Sequence, residues 1–401
     1  MKLKIFTLFI FIALGSNAQN NFFNPDTSSS QLIQNSFGGV ASTRIPQNFI
    51  NKFIFTGFID QSLKDEASNN LRDENLFGGE FNTTINLYLK PGSLARNCFW
   101  GIGFGTKIEG NLNFTKDMFN LIFHGNKPYA GQILSLNNTS FESLSYSYFE
   151  LTLGGNYNVP KGRNSYWIDL GLIFGHNFTS LNVPMASLFT AENGSYLDII
   201  IKDGEMIYSD ATNLENGIGG KLNLNYSYKS ERTTLLVQAK NIGGVSWNAV
   251  KSYEIDTTLR FDGVDVSNIF EFSDSILNRV TNIDSLVNKT TGRTFRMLPI
   301  DFNIFFKKEF GKLVFDANAR YRLFTNYLPY LRLGAYYKIA IFTPGVTLAY
   351  GGYGFTQVGI NTELNFFKKL KIILGTNNIL GAVAPKSSTA LDAYFGVILK
   401  L

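Results

Sequence analysis

From residue 100 to residue 114 the chain alternates without a break. Trp100, Ile102, Phe104, Thr106, Ile108, Gly110, Leu112 and Phe114 fall on one face, and Gly101, Gly103, Gly105, Lys107, Glu109, Asn111 and Asn113 on the other. A β-strand sends successive side chains to opposite faces, so the pattern predicts a strand with one apolar face and one of glycine and charge. Soluble half-buried strands usually run to about five or six residues, whereas this stretch is long enough to cross a bilayer at a tilt.

The same alternation recurs over residues 53–59, 81–90, 149–157, 166–175, 221–228, 233–242, 300–308, 313–322, 330–338, 342–350, 355–366, 370–377 and 389–401. The pattern predicts an all-β chain, a transmembrane antiparallel β-barrel of about 14 strands, an even number as single-chain outer-membrane barrels require. The gaps set its orientation, because such barrels put short turns in the periplasm and long loops outside. Gaps 61–78, 115–140, 179–216 and 243–298 are long, and gaps 91–97, 160–164, 230–232 and 310–312 are short. The large extracellular loops therefore come early in the chain.

These loops carry patterns of their own. Thr115 is placed to cap a helix bearing Met118, Leu121 and Ile122 and stopped by Gly125. Asn193-Gly194 and Asp203-Gly204 divide residues 187–208 into a three-stranded meander. Residues 253–261 read as an extra strand, and Ser273 as the cap of a helix with Ile276, Val280, Ile283 and Val287 on one stripe.

Residues 1–18 read as a secretory signal, with Lys2 and Lys4 before an apolar stretch and a small-residue cleavage site at Ser16-Asn17-Ala18. Residues 19–47 show no sustained period and are expected to be a disordered lead-in or a short plug, with the barrel over 48–401. The single cysteine, Cys98, excludes a disulfide framework and a thiolate metal site. A formal charge of +5, falling to +3 without Lys2 and Lys4, is scattered, so no basic stripe for nucleic acid exists.

If the apolar parity faces lipid, the other parity lines the lumen. It presents Lys107, Lys221, Lys240, Arg320 and Arg332 with Glu109, Glu150, Asp169, Asp301, Asp316 and Glu363. A selective channel lines its constriction with one sign of charge; near-balanced charges point to a salt-bridged filler or a plug holder, with a polar conduit as the alternative. No catalytic, cofactor or metal set is expected. His124 has no nameable partner, and His176 falls on the lipid-facing parity beside Phe174 and Phe178. Gly101, Gly103 and Gly105 are read as wall positions where a plug or a neighbouring backbone approaches. Pro344, inside a strand, marks either a break in the ladder or a bulge near the strand's start.

Phe22-Phe23-Asn24-Pro25 and Lys240-Asn241-Ile242-Gly243-Gly244-Val245-Ser246-Trp247 resemble phrases of the FadL-like fatty-acid transporter barrels and the related PorV-like barrels of type IX secretion. Residues 115–119 and 121–127, with Phe261-Asp262-Gly263-Val264 and Leu298-Pro299, resemble an uncharacterised family of outer-membrane barrels from bacteria that use type IX secretion. The resemblance implies an outer-membrane location and a barrel that binds or passes hydrophobic small molecules, the amino-terminal segment acting as a gate. It also admits a non-transporting scaffold whose outer loops hold an envelope or secretion protein. No binding residue and no cofactor follows from it.

Overall fold

The computed structural model describes residues 29–90, 97–209, 216–262, 287–367 and 369–401. The signal, the start of the lead-in and the helix expected after Ser273 lie outside them.

Among the described residues eighteen strands form one antiparallel sheet, and 14 of them close into a barrel. In order round the wall these are β1 (Gln31–Ser42), β2 (Glu74–Leu89), β3 (Cys98–Thr115), β5 (Thr139–Val159), β6 (Gly162–Val183), β9 (Gly217–Lys229), β10 (Thr233–Phe261), β12 (Ile300–Phe310), β13 (Leu313–Leu323), β14 (Leu328–Tyr337), β15 (Phe342–Gly352), β16 (Thr356–Phe366), β17 (Leu370–Thr376) and β18 (Ala390–Lys400). The ring is sealed where β1 pairs with β18 on one side and β2 on the other, from Gln31↔Lys400 to Ala41↔Ala390.

That closure corrects two expectations. Gln31–Ser42 is a wall strand, not a plug, and residues 53–59 are not a strand. The first strand was hidden because its parity is inverted. Ile33 and Phe37 point inward, opposite the inward Ile398 and Tyr394, while Gln34 and Ser36 face outward. The outward polar groups are satisfied by one another: Gln34 Nε2 donates to Ser36 Oγ at 2.6 Å, and Ser36 Oγ meets Thr83 Oγ1 at 2.6 Å.

Trp100, Ile102, Phe104, Phe149, Leu151, Leu153, Leu331, Leu333, Val346 and Leu348 are all exposed, and their strand neighbours are turned inward. A closed ladder with an apolar exterior is the one β-structure that leaves no backbone group unsatisfied in hydrocarbon. The protein is an outer-membrane barrel. The turns joining β5 to β6, β9 to β10 and β12 to β13 are short and lie at the end that carries both the start of β1 and the end of β18, the periplasmic end.

Beyond the opposite rim the sheet continues. β10 runs uninterrupted to Phe261, and its outer half pairs with β8 (Leu197–Ser209) and β11 (Val287–Met297). β7 (Met185–Thr190) and β4 (Ile133–Ser135) extend this sheet. Asp203-Gly204 is a bulge inside β8 instead of a turn, since Asp203 has φ +53° and the register with β10 shifts there, so the expected three-stranded meander is a two-stranded hairpin.

Three helices, α1 (Gln47–Ile54), α2 (Gln61–Asn70) and α3 (Lys116–His124), pack as one cluster. Asp60 caps α2 by accepting from Leu63 N at 2.9 Å, and Thr115 caps α3 by accepting from Met118 N at 3.0 Å, as the sequence foretold for the latter. Phe49, Ile50, Ile54, Leu63 and Phe119 bury themselves against Val40, Phe77, Leu112 and Phe114. Those four wall residues share the outward face with Ile85 and Phe104. The helices therefore lean on the outside of the wall near its outer rim, and no described residue of theirs plugs the lumen.

Candidate functional site

The lumen is crossed by charge. Arg320 and Arg322 lie on β13 and Glu80 on β2, strands that are not neighbours in the wall, so their contact spans the interior. Arg322 Nη2 meets Glu80 Oε2 at 2.7 Å, its Nη1 meets Glu109 Oε2 at 3.2 Å and its Nε meets Asp301 Oδ1 at 2.9 Å. Arg320 Nη2 lies 2.8 Å from Asp301 Oδ1, and Lys107 Nζ lies 2.9 Å from Glu109 Oε2 and 3.8 Å from Glu80 Oε1. Three cations and three carboxylates thus neutralise each other in one buried belt, the arrangement in which a desolvated charge is tolerated.

A second group stands on β5, β6 and β9. Lys221 Nζ is 2.9 Å from Glu150 Oε1 and 3.1 Å from the centre of the Tyr148 ring. Asp169 accepts from Thr152 Oγ1 at 2.7 Å, Asn223 Nδ2 at 3.2 Å and Asn225 Nδ2 at 3.0 Å. From Asn225 a chain of amides runs round the wall: Gln238 donates to Asn225 at 2.7 Å, Asn303 to Gln238 at 3.2 Å and Asn318 to Asn303 at 2.7 Å.

Nearer the periplasm, Arg332 Nη2 lies 3.1 Å from Asp316 Oδ1, and Tyr336 Oη donates to Asp316 Oδ2 at 2.7 Å. Glu363 pairs with Lys371 at 2.8 Å.

All eleven charged positions singled out from the sequence stand on the inner face. Lys107, Glu109, Asp301 and Arg320 meet in the first belt, Glu150, Asp169 and Lys221 in the second group, and Asp316 with Arg332 in a pair. Glu363 stands apart with Lys371. Lys240 is in none of these; it lines a cavity of about 200 Å³ between the two charged groups. Glu80 and Arg322 were missed, although both continue the inward parity of their strands. Glu80 lies one residue before the alternation over residues 81–90, inside a strand that begins at Glu74.

Two bulges alter the expected facing. His176 is the extra residue where Ser145↔Asn177 gives way to Tyr146↔Gly175, and Phe178 beyond it turns inward. His176 itself meets Ser147 Oγ at 2.8 Å. The second bulge lies in β10 between Ala239 and Ile242, with Asn241 at φ +62°. Past it Val245 and Trp247 point inward and pack with Phe178, Tyr146 and Ile173, Trp247 stacking on Phe178 at 5.5 Å.

The glycines of β3 admit side chains, not a plug. A Cβ on Gly103 would come within 2.1 Å of Asn86 Oδ1, and one on Gly105 within 2.5 Å of Tyr148 Oη.

Pro344 produces no gap. The β15–β16 ladder passes through Pro344↔Thr362, whereas the β14–β15 ladder ends at Tyr336↔Gly345, one residue before the missing N–H. What it does border is an apolar depression of about 730 Å³ on the wall, lined by Leu313, Ala335, Tyr337, Phe342, Val346, Ile360 and Leu374.

Residues 175–377 match a family described as a family of unknown function (DUF5723). No curated protein matches the sequence. Among solved structures, the Pseudomonas putida toluene transporter TodX is 10% identical, covering 97% of this chain and 95% of that one with a TM-score of 0.43. A Pseudomonas aeruginosa FadL homologue is 9% identical over 92% of this chain and 89% of that one, TM-score 0.43. The Ralstonia pickettii toluene transporter TbuX is 10% identical over 93% and 90%, TM-score 0.42. At such values the functions of those proteins are not transferred to this one.

Proposed function

The chain belongs to the DUF5723 family, and from that premise we propose that it is an outer-membrane barrel that binds apolar small molecules at the wall depression beside Pro344. The carrying observation is the depression itself: its volume of about 730 Å³ falls in the range typical of ligand pockets, about 300–1,000 Å³, and its walls are almost wholly apolar. Gly345 and Gly375 thin the wall behind it, the Tyr336 and Tyr394 rings lying against them from inside. The lumen axis is an unsuitable path for such a ligand, because passage would break the buried ion pairs of the charged belt without replacing them. The role is one of binding and lateral exchange with the bilayer, with no catalytic step.

The test is native mass spectrometry of the barrel in lipid nanodiscs, with palmitate and toluene as probes. Saturable binding of either above bulk lipid is expected, with at least a tenfold loss when Val346→Trp and Leu374→Trp fill the depression. Equal binding by the filled variant, checked for folding by heat-dependent gel mobility, overturns the reading.

A further inference from the structure

The cavity between the two charged groups carries an inference independent of the wall depression. Of the carboxylates that line it, Glu80 is held by Arg322 and Arg320, Asp301 by Arg320 and Arg322, Glu150 by Lys221 and Asn223, and Asp169 by Thr152, Asn223 and Asn225. Their acceptor capacity is largely used within the protein.

The donors are not. Lys240 stands at the β10 bulge, the last residue before the inward parity changes, and its register partner is Asp301, whose carboxylate the two arginines occupy. Its ammonium has no hydrogen bond or ion pair among the described residues. Arg320 uses Nε and Nη2 on Asp301 and Glu80, and its Nη1 is buried without a partner. Tyr146 Oη, on the same cavity, is likewise buried and unpartnered. Buried polar groups are ordinarily satisfied, by protein, water or ligand, because leaving one unmade costs about 1–3 kcal/mol. Here three donors without a partner, the half-buried Lys240 ammonium and the buried Arg320 Nη1 and Tyr146 Oη, two of them cationic, line one space of about 200 Å³.

We infer that this cavity binds a small organic monocarboxylate. A carboxylate offers two acceptor oxygens to two cationic donors, and such charge-assisted bonds are roughly twice as strong as neutral ones. Trp167 and Tyr88 line the cavity and present aromatic surface for the rest of the molecule. The volume corresponds to roughly seven waters at about 30 Å³ each, which limits the ligand to the size of a single ring or a short chain.

The experiment is titration calorimetry of the folded barrel in detergent with benzoate, benzamide and inorganic phosphate. Benzoate should bind saturably and at least tenfold more tightly than benzamide, which has the shape without the charge, and than phosphate. Lys240→Met should weaken benzoate at least tenfold while Lys240→Arg keeps most of the affinity, and Tyr146→Phe should cause a smaller loss. Because Lys240 has no partner to abandon, the Met variant should keep its heat-dependent gel mobility. Absence of saturable benzoate binding to the wild type, parity between benzoate and benzamide, tighter binding of phosphate, or an unaltered Lys240→Met variant would each overturn the assignment.

Discussion

Two regions of the same lumen are filled by opposite chemistry. On the side of β5, β6 and β10, Tyr146, Ile173, Phe178, Val245 and Trp247 interlock as an apolar cluster. On the side of β2, β3 and β13, Glu80, Lys107, Glu109, Arg320 and Arg322 occupy the space as ion pairs, joined by Asp301 from β12. Apolar groups pack with whatever neighbour fits, so their side of the lumen seals. Charged groups demand reciprocal partners of fixed geometry, and where the count or the angle fails a donor is left over. Lys240 and Arg320 Nη1 are such remainders, and the cavity lies where they are. The wall's two flanks differ as well: near the outer rim β1 to β3 are covered outside by helices, while β14 to β17 carry the depression.

The comparison can be broken most severely at Asp301. Its removal by Asp301→Ala takes from Arg320 and Arg322 one of the two carboxylates they share, leaving Glu80 alone between them, and losing one partner of a buried pair costs about 3–5 kcal/mol. Reversible urea unfolding in lipid vesicles should register a loss of that size; a change below about 1 kcal/mol would mean that water, and not the protein, neutralises the belt. Trp247→Ala should cost about 3 kcal/mol by the transfer and cavity terms of a buried indole. Unlike Asp301→Ala it should be insensitive to salt, so equal salt dependence of the two variants would dissolve the distinction. The smallest effect belongs to the Arg260–Asp198 pair at 2.7 Å, which lies on the exposed outer sheet. Arg260→Ala should leave the unfolding curve unchanged in 0.15 M salt, because exposed pairs are screened. Its bidentate bond holds the Asp198 carboxyl below the usual carboxylate range. Any stabilisation from it is present above the unfolded-state pKa and lost as pH falls through the lower folded-state pKa.

Much of this was legible in the residues. The alternation of β3 announces a wall strand, the even count announces closure, and the order of long and short gaps assigns the two ends. Other features misled. Phe53, Phe55, Gly57 and Ile59 alternate like a strand, yet they follow or end α1, whose Phe49, Ile50 and Ile54 form a helical stripe against the wall. β1 was obscured by the reverse effect, its apolar side chains turned inward and its outward polar ones paired with each other and with β2.

Period and parity are local properties of the chain, so the sequence alone was enough to determine that the wall strands other than β1 exist, which face meets lipid and that the other face carries nearly balanced charge. Which charges meet is not local. Glu80 and Arg322 stand 242 residues apart, and only the closure of the wall and the tilt of its strands bring them to one level. The bulges at His176 and at Lys240-Asn241 each insert one residue, reversing the facing of the residues that follow. A single inserted residue has no signature in a period of two until the partner strand is known, and so the apolar cluster, the leftover donors and the cavity between them were decided by tertiary structure.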